Sequence, residues 1–181
     1  MQRLFVALDL PDYTREALGQ LEEEMRGVSW SLSENRHLTL FFLGETEPPR
    51  IEMVQHVLRN IQVASFFMPI QDIGYFPPKG QPRVLWAGVG NGHPHLFQLQ
   101  HRITDALFGI GFDPGERAWQ PHITLARCGG ASEESIRQYM KKHRDFESAP
   151  VRVTEFHLFA SERQGGRRFY PLVETFPLTD V

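Results

Sequence analysis

A single cysteine, Cys128, stands among the 181 residues, so neither an intramolecular disulfide nor a metal site built from several cysteines can form. That usage fits a reducing, cytosolic compartment. The chain has no H-E-x-x-H sequence for zinc and no clustering of carboxylates suited to magnesium, so no cofactor and no metal is expected. Basic residues are not in excess either: 19 Lys and Arg against 22 Asp and Glu give a formal net charge of -3. A protein that grips a long duplex through many phosphates usually carries a basic face, so a nucleic-acid substrate here is expected to be small or held by its end. Long apolar runs are lacking. The stretch Leu4 to Leu10 is interrupted by Asp9 and stopped by Pro11, which is too short and too charged for a signal peptide or a membrane span. No linker rich in Gly or Ser divides the chain. What remains, 41% hydrophobic and 23% charged residues, suffices for one good core, or two small lobes sharing one, and a cytoplasmic monomer with no membrane partner is expected.

Within that ordinary composition two stretches say nearly the same thing. Arg36-His37-Leu38-Thr39-Leu40-Phe41 and Pro121-His122-Ile123-Thr124-Leu125-Ala126-Arg127 each place a histidine, an apolar residue, a threonine and another apolar residue in a strand-like run. Side chains alternate along a strand with period two. Each histidine therefore shares a face with the threonine two places on, while Leu38 and Leu40, or Ile123 and Leu125, turn to the other side.

The rest of the chain repeats in step with these strands. Arg3 to Leu10 reads as a buried strand, followed by a helix capped by Asp12 or Thr14 and closed by Gly27. The first histidine strand ends at Gly44. A helix begun by Pro48 and Pro49 carries Ile51, Val54, Leu58 and Ile61 on one side, and a strand from Phe66 to Phe76 ends at Pro77-Pro78-Lys79-Gly80. The order then starts again: a strand from Arg83 to Val89, a helix from His95 to Phe108, the second histidine strand, a helix capped by Ser132 and ending near His143, and a strand from Val151 to Ala160. A tail hairpin closes the chain, with Ser161 to Gly166 as its turn and Arg168 to Thr175 as its return strand. The opening strands are offset by about 80 residues, the histidines by 85 and the closing strands by about 83, which is how an internal repeat shows itself. The expected fold is α+β: one bilobal domain over 1–181, with halves of about 1–80 and 81–181. Two pseudo-symmetric antiparallel sheets should face a central cleft, with helices outside.

Two imidazoles and two hydroxyls lining such a cleft suit a phosphodiester. A neutral histidine can take a proton from water while a protonated one gives a proton to the departing oxygen. Threonine hydroxyls can donate to the non-bridging oxygens, where negative charge builds as phosphorus becomes five-coordinate. Phe41 shares parity with His37 and Thr39, which makes it either core or a platform on which a base stacks. Arg127 falls on the wrong parity to join His122 and Thr124, and reaches a phosphate only if the strand ends or bulges there. His56, His93, His95, His101, His143 and His157 lack this context and read as surface or packing residues. Arg83 and Trp86 are placed to contact a nucleotide but each reads first as a core or edge residue, and the basic groups Lys141 to Arg144 and Arg163, Arg167, Arg168 as a solvated helix end and a loop tip. The hairpin from Arg163 to Arg168 and the stretch from Gly74 to Gly80 are also placed to wall a cleft.

At these residues the chain resembles the 2H phosphoesterase superfamily, defined by two H-x-T-x motifs, here His37-Leu38-Thr39-Leu40 and His122-Ile123-Thr124-Leu125. Within it the similarity is to the RNA 2′,3′-cyclic phosphodiesterases, also called 2′-5′ RNA ligases. It extends over nearly the whole chain, through Arg3 to Leu8, Leu10-Pro11, the Phe42-Leu43-Gly44 extension, Pro82 to Trp86, the Leu125-Ala126-Arg127 extension and Phe176-Pro177-Leu178. The tail departs from the family's pattern, with Gly166 and Tyr170 four places apart where the family has three.

The resemblance implies a bilobal fold and hydrolysis of an RNA 2′,3′-cyclic phosphate terminus to a 2′-phosphomonoester, and the two-histidine scheme needs no metal for it. It makes His37 the proton donor and His122 the acceptor, and puts Thr39, Thr124 and Arg127 at the phosphate. Partners are then RNA ends or small cyclic nucleotides, with reverse 2′-5′ ligation as a further activity. Two alternatives stay open: a module that binds nucleotides or RNA ends without turning them over, and a phosphodiesterase for another small cyclic nucleotide.

Overall fold

The computed structural model describes residues 1–180, and its element order follows from where apolar periodicity gives way to Gly, Pro and polar turns. Eleven strands and four helices are described: β1 (Gln2–Leu8), α1 (Asp12–Gly19), β2 (Ser29–Trp30), β3 (Leu38–Thr46), α2 (Pro48–Arg59), β4 (Phe66–Gln71), β5 (Ile73–Phe76), β6 (Val84–Ala87), α3 (Pro94–Phe108), β7 (Ile123–Arg127), α4 (Glu133–His143), β8 (Glu147–Val153), β9 (Glu155–Gln164), β10 (Arg167–Phe169) and β11 (Leu172–Pro177). The fold is α+β with two antiparallel sheets. Nine strands form the larger one along the order β10-β9-β1-β3-β7-β6-β5, with β11 on β9 and β2 on β7; β4 and β8 form the smaller.

The larger sheet has a narrow waist. β3 and β7 meet at one pair, Leu38 opposite Ile123, and then diverge; β2 takes over the freed edge of β7 by pairing Trp30 with Ala126 and Ser29 with Arg127. About this waist the order β9-β1-β3-β7-β6-β5 is a palindrome of the repeat, because each closing strand crosses to the other half. β5 pairs with β6, and β9 pairs with β1.

That exchange explains two departures from the sequence expectations. The single strands expected at Phe66 to Phe76 and Val151 to Ala160 are each bent in the middle. Asp72, at φ 70, separates β4 from β5, and Thr154 separates β8 from β9. The first half of each bent strand builds the small sheet, and the second half joins the large one. β9 also runs on to Gln164, past the expected end at Ala160. Only Gly165 and Gly166, with φ of 59 and 78, make the hairpin turn, the left-handed pair that a two-residue hairpin demands.

Other element ends differ too: β1 stops at Leu8, β6 spans only Val84–Ala87, and the return strand of the tail is split into β10 and β11. α1 stops at Gly19 rather than Gly27, because Glu22, Glu23 and Glu24 would oppose the dipole of a longer helix. Glu22 and Glu23 serve tertiary contacts instead: Glu22 pairs with Arg36, and the Glu23 carbonyl accepts from the Trp30 indole at 2.9 Å. Gly44 does not end β3. It stands opposite Leu4 while Phe42 stands opposite Phe5, so Leu43 is looped out as a bulge and the strand continues to Thr46.

One face of the large sheet carries Leu4, Val6, Leu8, Leu38, Leu40, Ile123 and Leu125 into a core shared with the four helices and the small sheet. Leu18 of α1, Val54 and Leu58 of α2, Leu96, Leu99, Ile103 and Leu107 of α3 and Ile136 of α4 cover it. The opposite face is left to the histidines. No helix among the described residues is long and apolar enough to cross a membrane.

Candidate active site

His37 and His122 each stand one residue before a strand, and each is fixed in the same way. The Nδ1 of His37 lies 2.8 Å from the carbonyl oxygen of Asn35, and that of His122 lies 2.8 Å from the carbonyl oxygen of Gln120. A carbonyl can only accept, so Nδ1 carries the proton in both rings and Nε2 is the atom left to exchange protons with a ligand. A strand start, a carbonyl two residues back and an outward Nε2 thus recur at positions 85 residues apart.

Burial tunes the two rings. Desolvation pulls His37 down to about 4, against opposing contributions from its bond to Asn35 and from Asp9, with Arg15 and His122 lowering it further. His122 is lowered as well, again chiefly by desolvation. Leu38 and Ile123, which follow the two histidines, pair directly across the waist, and that pairing brings the two rings to one region of the sheet.

The walls around the rings are aromatic. Phe5 lies 4.8 Å from His37 between ring centroids, and Tyr170 meets the same imidazole edge-on at 5.2 Å. Phe76 meets His122 edge-on at 4.9 Å, and Trp86 stands 6.5 Å away. The register makes Phe159, opposite Phe5, the counterpart of Phe76, opposite Val84. One large-small pairing is inverted between the halves: Trp86 lies over Gly74, where a Cβ would fall 2.1 Å from the indole, whereas Ala7 faces His157. His157 is buried, lies 3.0 Å from the Thr175 hydroxyl through Nδ1, and is a packing residue.

Bulges decide which neighbours join the site. In β3, Thr39 pairs with Ala7 and Phe41 with Val6, so Leu40 is the extra residue; in β7, Thr124 pairs with Trp86 and Ala126 with Leu85, so Leu125 is extra. Each bulge flips parity after the threonine. Arg127 is thereby brought to the face of His122 and Thr124, and is exposed there. The same flip removes Phe41, which is 5% exposed in the core, so it is no platform for a base. Phe42 takes the outward place, 72% exposed and 6.2 Å from Phe5. Thr39 and Thr124 are half-buried on the open face, while their flanking residues Leu38, Leu40, Ile123 and Leu125 are buried.

Several supporting residues carried no signal in the sequence. Arg36 is 1% exposed, pairs with Glu22 at 2.5 Å and reaches the Leu125 carbonyl at 3.4 Å, tying the first motif to the second strand. Trp119 donates its indole proton to the Thr39 carbonyl at 3.1 Å, a tie in the opposite direction. Asp9 and Arg15 form an ion pair beside His37, at a cavity of about 470 Å³ also lined by Ser33, Phe159 and Tyr170. A roomier depression of about 830 Å³ lies away from both histidines, between Glu23 and α4, where Glu23 is already engaged by Lys142 and His143. Among the described residues no three His, Cys, Asp or Glu side chains converge as metal ligands.

The family model of the 2′-5′ RNA ligase superfamily matches residues 13–165, most of the chain. An RNA 2′,3′-cyclic phosphodiesterase of Thermotoga maritima is 32% identical over 171 residues, covering 88% of this chain and 86% of its own. One from Escherichia coli K12 is 30% identical over 184 residues, covering 98% and 97%. Among solved structures, that of E. coli LigT complexed with 3′-AMP superposes with a TM-score of 0.83 at 27% identity, covering 98% of each chain.

Proposed function

The chain belongs to the 2′-5′ RNA ligase superfamily, and from that premise we propose that it hydrolyses terminal 2′,3′-cyclic phosphates of RNA to 2′-phosphomonoesters, using its two histidines and no metal. The observation that carries this reading is the pair of Nδ1-to-carbonyl bonds, which leave two Nε2 atoms of matched geometry on one face. Relatives from several organisms are named RNA 2′,3′-cyclic phosphodiesterases, and a solved relative holds 3′-AMP.

The Nε2 of neutral His122 takes a proton from water as that water attacks phosphorus. The Nε2–H of protonated His37 delivers a proton to the 3′ oxygen as its bond to phosphorus breaks, leaving the phosphate on the 2′ oxygen. The hydroxyls of Thr39 and Thr124 donate to the non-bridging oxygens, and the Arg127 guanidinium offsets the growing negative charge. Phe42, in place of Phe41, is the exposed ring on which a base can stack. If a 5′-hydroxyl RNA end replaces water, the same proton transfers give a 2′-5′ linkage, which is the ligation activity.

A low pKa for His37 is compatible with its being the acid. The anionic phosphodiester bound beside it favours the imidazolium, so substrate binding itself raises the proton affinity of the ring. The test is to incubate the protein with a nucleoside 2′,3′-cyclic phosphate in the presence of EDTA. Conversion to the 2′-phosphate is expected; binding without consumption would make the chain a nucleotide-binding module instead.

A further inference from the structure

Resting on the reading above, we propose that the open face continues beyond His37 as a basic track, Arg3, Arg163 and Arg168, that holds the phosphodiesters 5′ to the cyclic end, so the preferred substrate is an RNA strand rather than a mononucleotide.

The register builds this track. Arg3 lies opposite Ser161 two places beyond the Phe5–Phe159 pair, and Arg163 lies opposite Arg168. Residues that alternate with Phe159 share its face, so Ser161 and Arg163 follow it along β9 on the histidine side. Arg168 is on the same face, since its guanidinium donates to the Ser161 hydroxyl at 2.6 Å. The hairpin is anchored to the site: Asn35, whose carbonyl holds His37, also donates its side-chain amide to the Arg168 carbonyl at 3.0 Å. Glu162 and Arg167 alternate to the opposite face, although Glu162 lines the same depression as Arg3, Arg163 and Arg168, and Glu45 stands across from Arg3.

Two further observations point to an anionic ligand. Like charges placed directly opposite on neighbouring strands repel, yet Arg163 and Arg168 are so placed. No ion pair among the described residues engages Arg3, Arg163 or Arg168, so their charges are free to meet a ligand. The track is also absent from the other half. Where Arg3 and Ser161 stand, the repeat has Pro82 and Pro78, and the loop from Phe76 to Arg83 replaces the β9–β10 hairpin. Arg163 lies about 13 Å along β9 from Phe159, four residues at about 3.3 Å each, so the track leads away from the wall of His37. The exposed ring of Phe42 lies beside Phe5, on the way.

The test compares wild type with an Arg3→Gln/Arg163→Gln double variant on a nucleoside 2′,3′-cyclic phosphate and on a tetraribonucleotide with the same end, across a range of salt. Both arginines are exposed, so an unchanged melting temperature is expected. The track predicts that wild type favours the tetranucleotide, that the variant loses about tenfold in kcat/KM on it alone, and that its salt dependence flattens by about 0.7 per lost phosphate contact. Equal loss on both substrates, or no loss on either, would overturn the track and leave the phosphodiesterase reading standing. Should neither substrate be turned over, that reading fails, and the two proteins' affinities for a 5′-fluorescein tetranucleotide decide the track by themselves. Tighter, more salt-sensitive binding by wild type supports it, and indistinguishable binding refutes it.

Discussion

Leu38 and Ile123 face one another as the single pair that joins β3 to β7, and both are fully buried. Each follows a motif histidine and precedes a motif threonine. The two halves of the site are thereby hung from one hinge of backbone, and the histidines before it emerge on one face. Position is supplied by this frame, and the proposed acid-base chemistry belongs to the histidines beside it.

Replacing either His37 or His122 by Ala should cost about a hundredfold to ten-thousandfold in kcat, the usual worth of a general acid or base, while circular dichroism stays unchanged. The double variant should be little worse than the poorer single one, because the two act as a unit. If His37→Ala unfolds the protein, the ring is a core residue and not a catalytic one.

The pH dependence follows from the lowered imidazoles. Activity needs one ring protonated and the other neutral, and burial places His37 at about 4 with His122 below its ordinary 6.5. The bell in kcat/KM, which reports the free protein, should therefore have both limbs below about 6.5, falling as pH rises past the upper one. In kcat the alkaline limb should move to higher pH, since bound phosphodiester stabilises the imidazolium. An alkaline limb of kcat/KM above pH 7 would show that burial does not set these rings.

The same burial makes His37 a stability term. A histidine whose folded pKa lies below its unfolded one disfavours folding only where the unfolded chain is protonated. The structure therefore has its full stability above about pH 6.5 and loses it as pH falls toward 4, by up to about 3 kcal/mol. Urea midpoints of His37→Gln should fall less over this interval than those of wild type. Parallel curves would contradict the assignment.

Phe41 and Phe42 are adjacent yet should behave as opposites. Phe41→Ala empties a core position and should destabilise by about 3–5 kcal/mol. Phe42→Ala should leave stability within about 0.5 kcal/mol and raise KM, as loss of a stacking ring does. Chemical denaturation and steady-state kinetics on both variants check this, and the reverse pattern would refute the bulge at Leu40.

Gly74→Ala tests the His122 wall. Its new Cβ would meet the Trp86 ring at 2.1 Å, so the indole must tip, at a cost of about 1–3 kcal/mol. Trp86 flanks His122, so kcat should fall together with stability; a normal kcat would show that the indole does not position the ring.

Much of this was legible in the chain because strand parity is a strong constraint. Two His-x-Thr runs at a fixed offset disclose the two strands, the repeat and four residues of the proposed site. Parity failed after the threonines, where the extra residues Leu40 and Leu125 reversed it. Leucine is an ordinary strand residue, so nothing local marks a bulge there, and simple alternation puts Phe41 and Arg127 on the wrong faces. The crossing of β5 and β9 was also hidden, since Asp72 and Thr154 are weak punctuation within otherwise continuous strand patterns. Arg36 could not be found at all. A charge next to a motif reads as surface, and its burial depends on Glu22 and the Leu125 carbonyl, which only the tertiary structure brings near.

The most direct measurement is turnover of an RNA oligonucleotide ending in a 2′,3′-cyclic phosphate, in EDTA, by wild type and by His122→Ala, with the position of the product phosphate determined. A 2′-phosphate formed by wild type and about a hundredfold or more slower by the variant is predicted. A 3′-phosphate, a requirement for added metal, or equal rates from the two proteins would contradict the two-histidine mechanism.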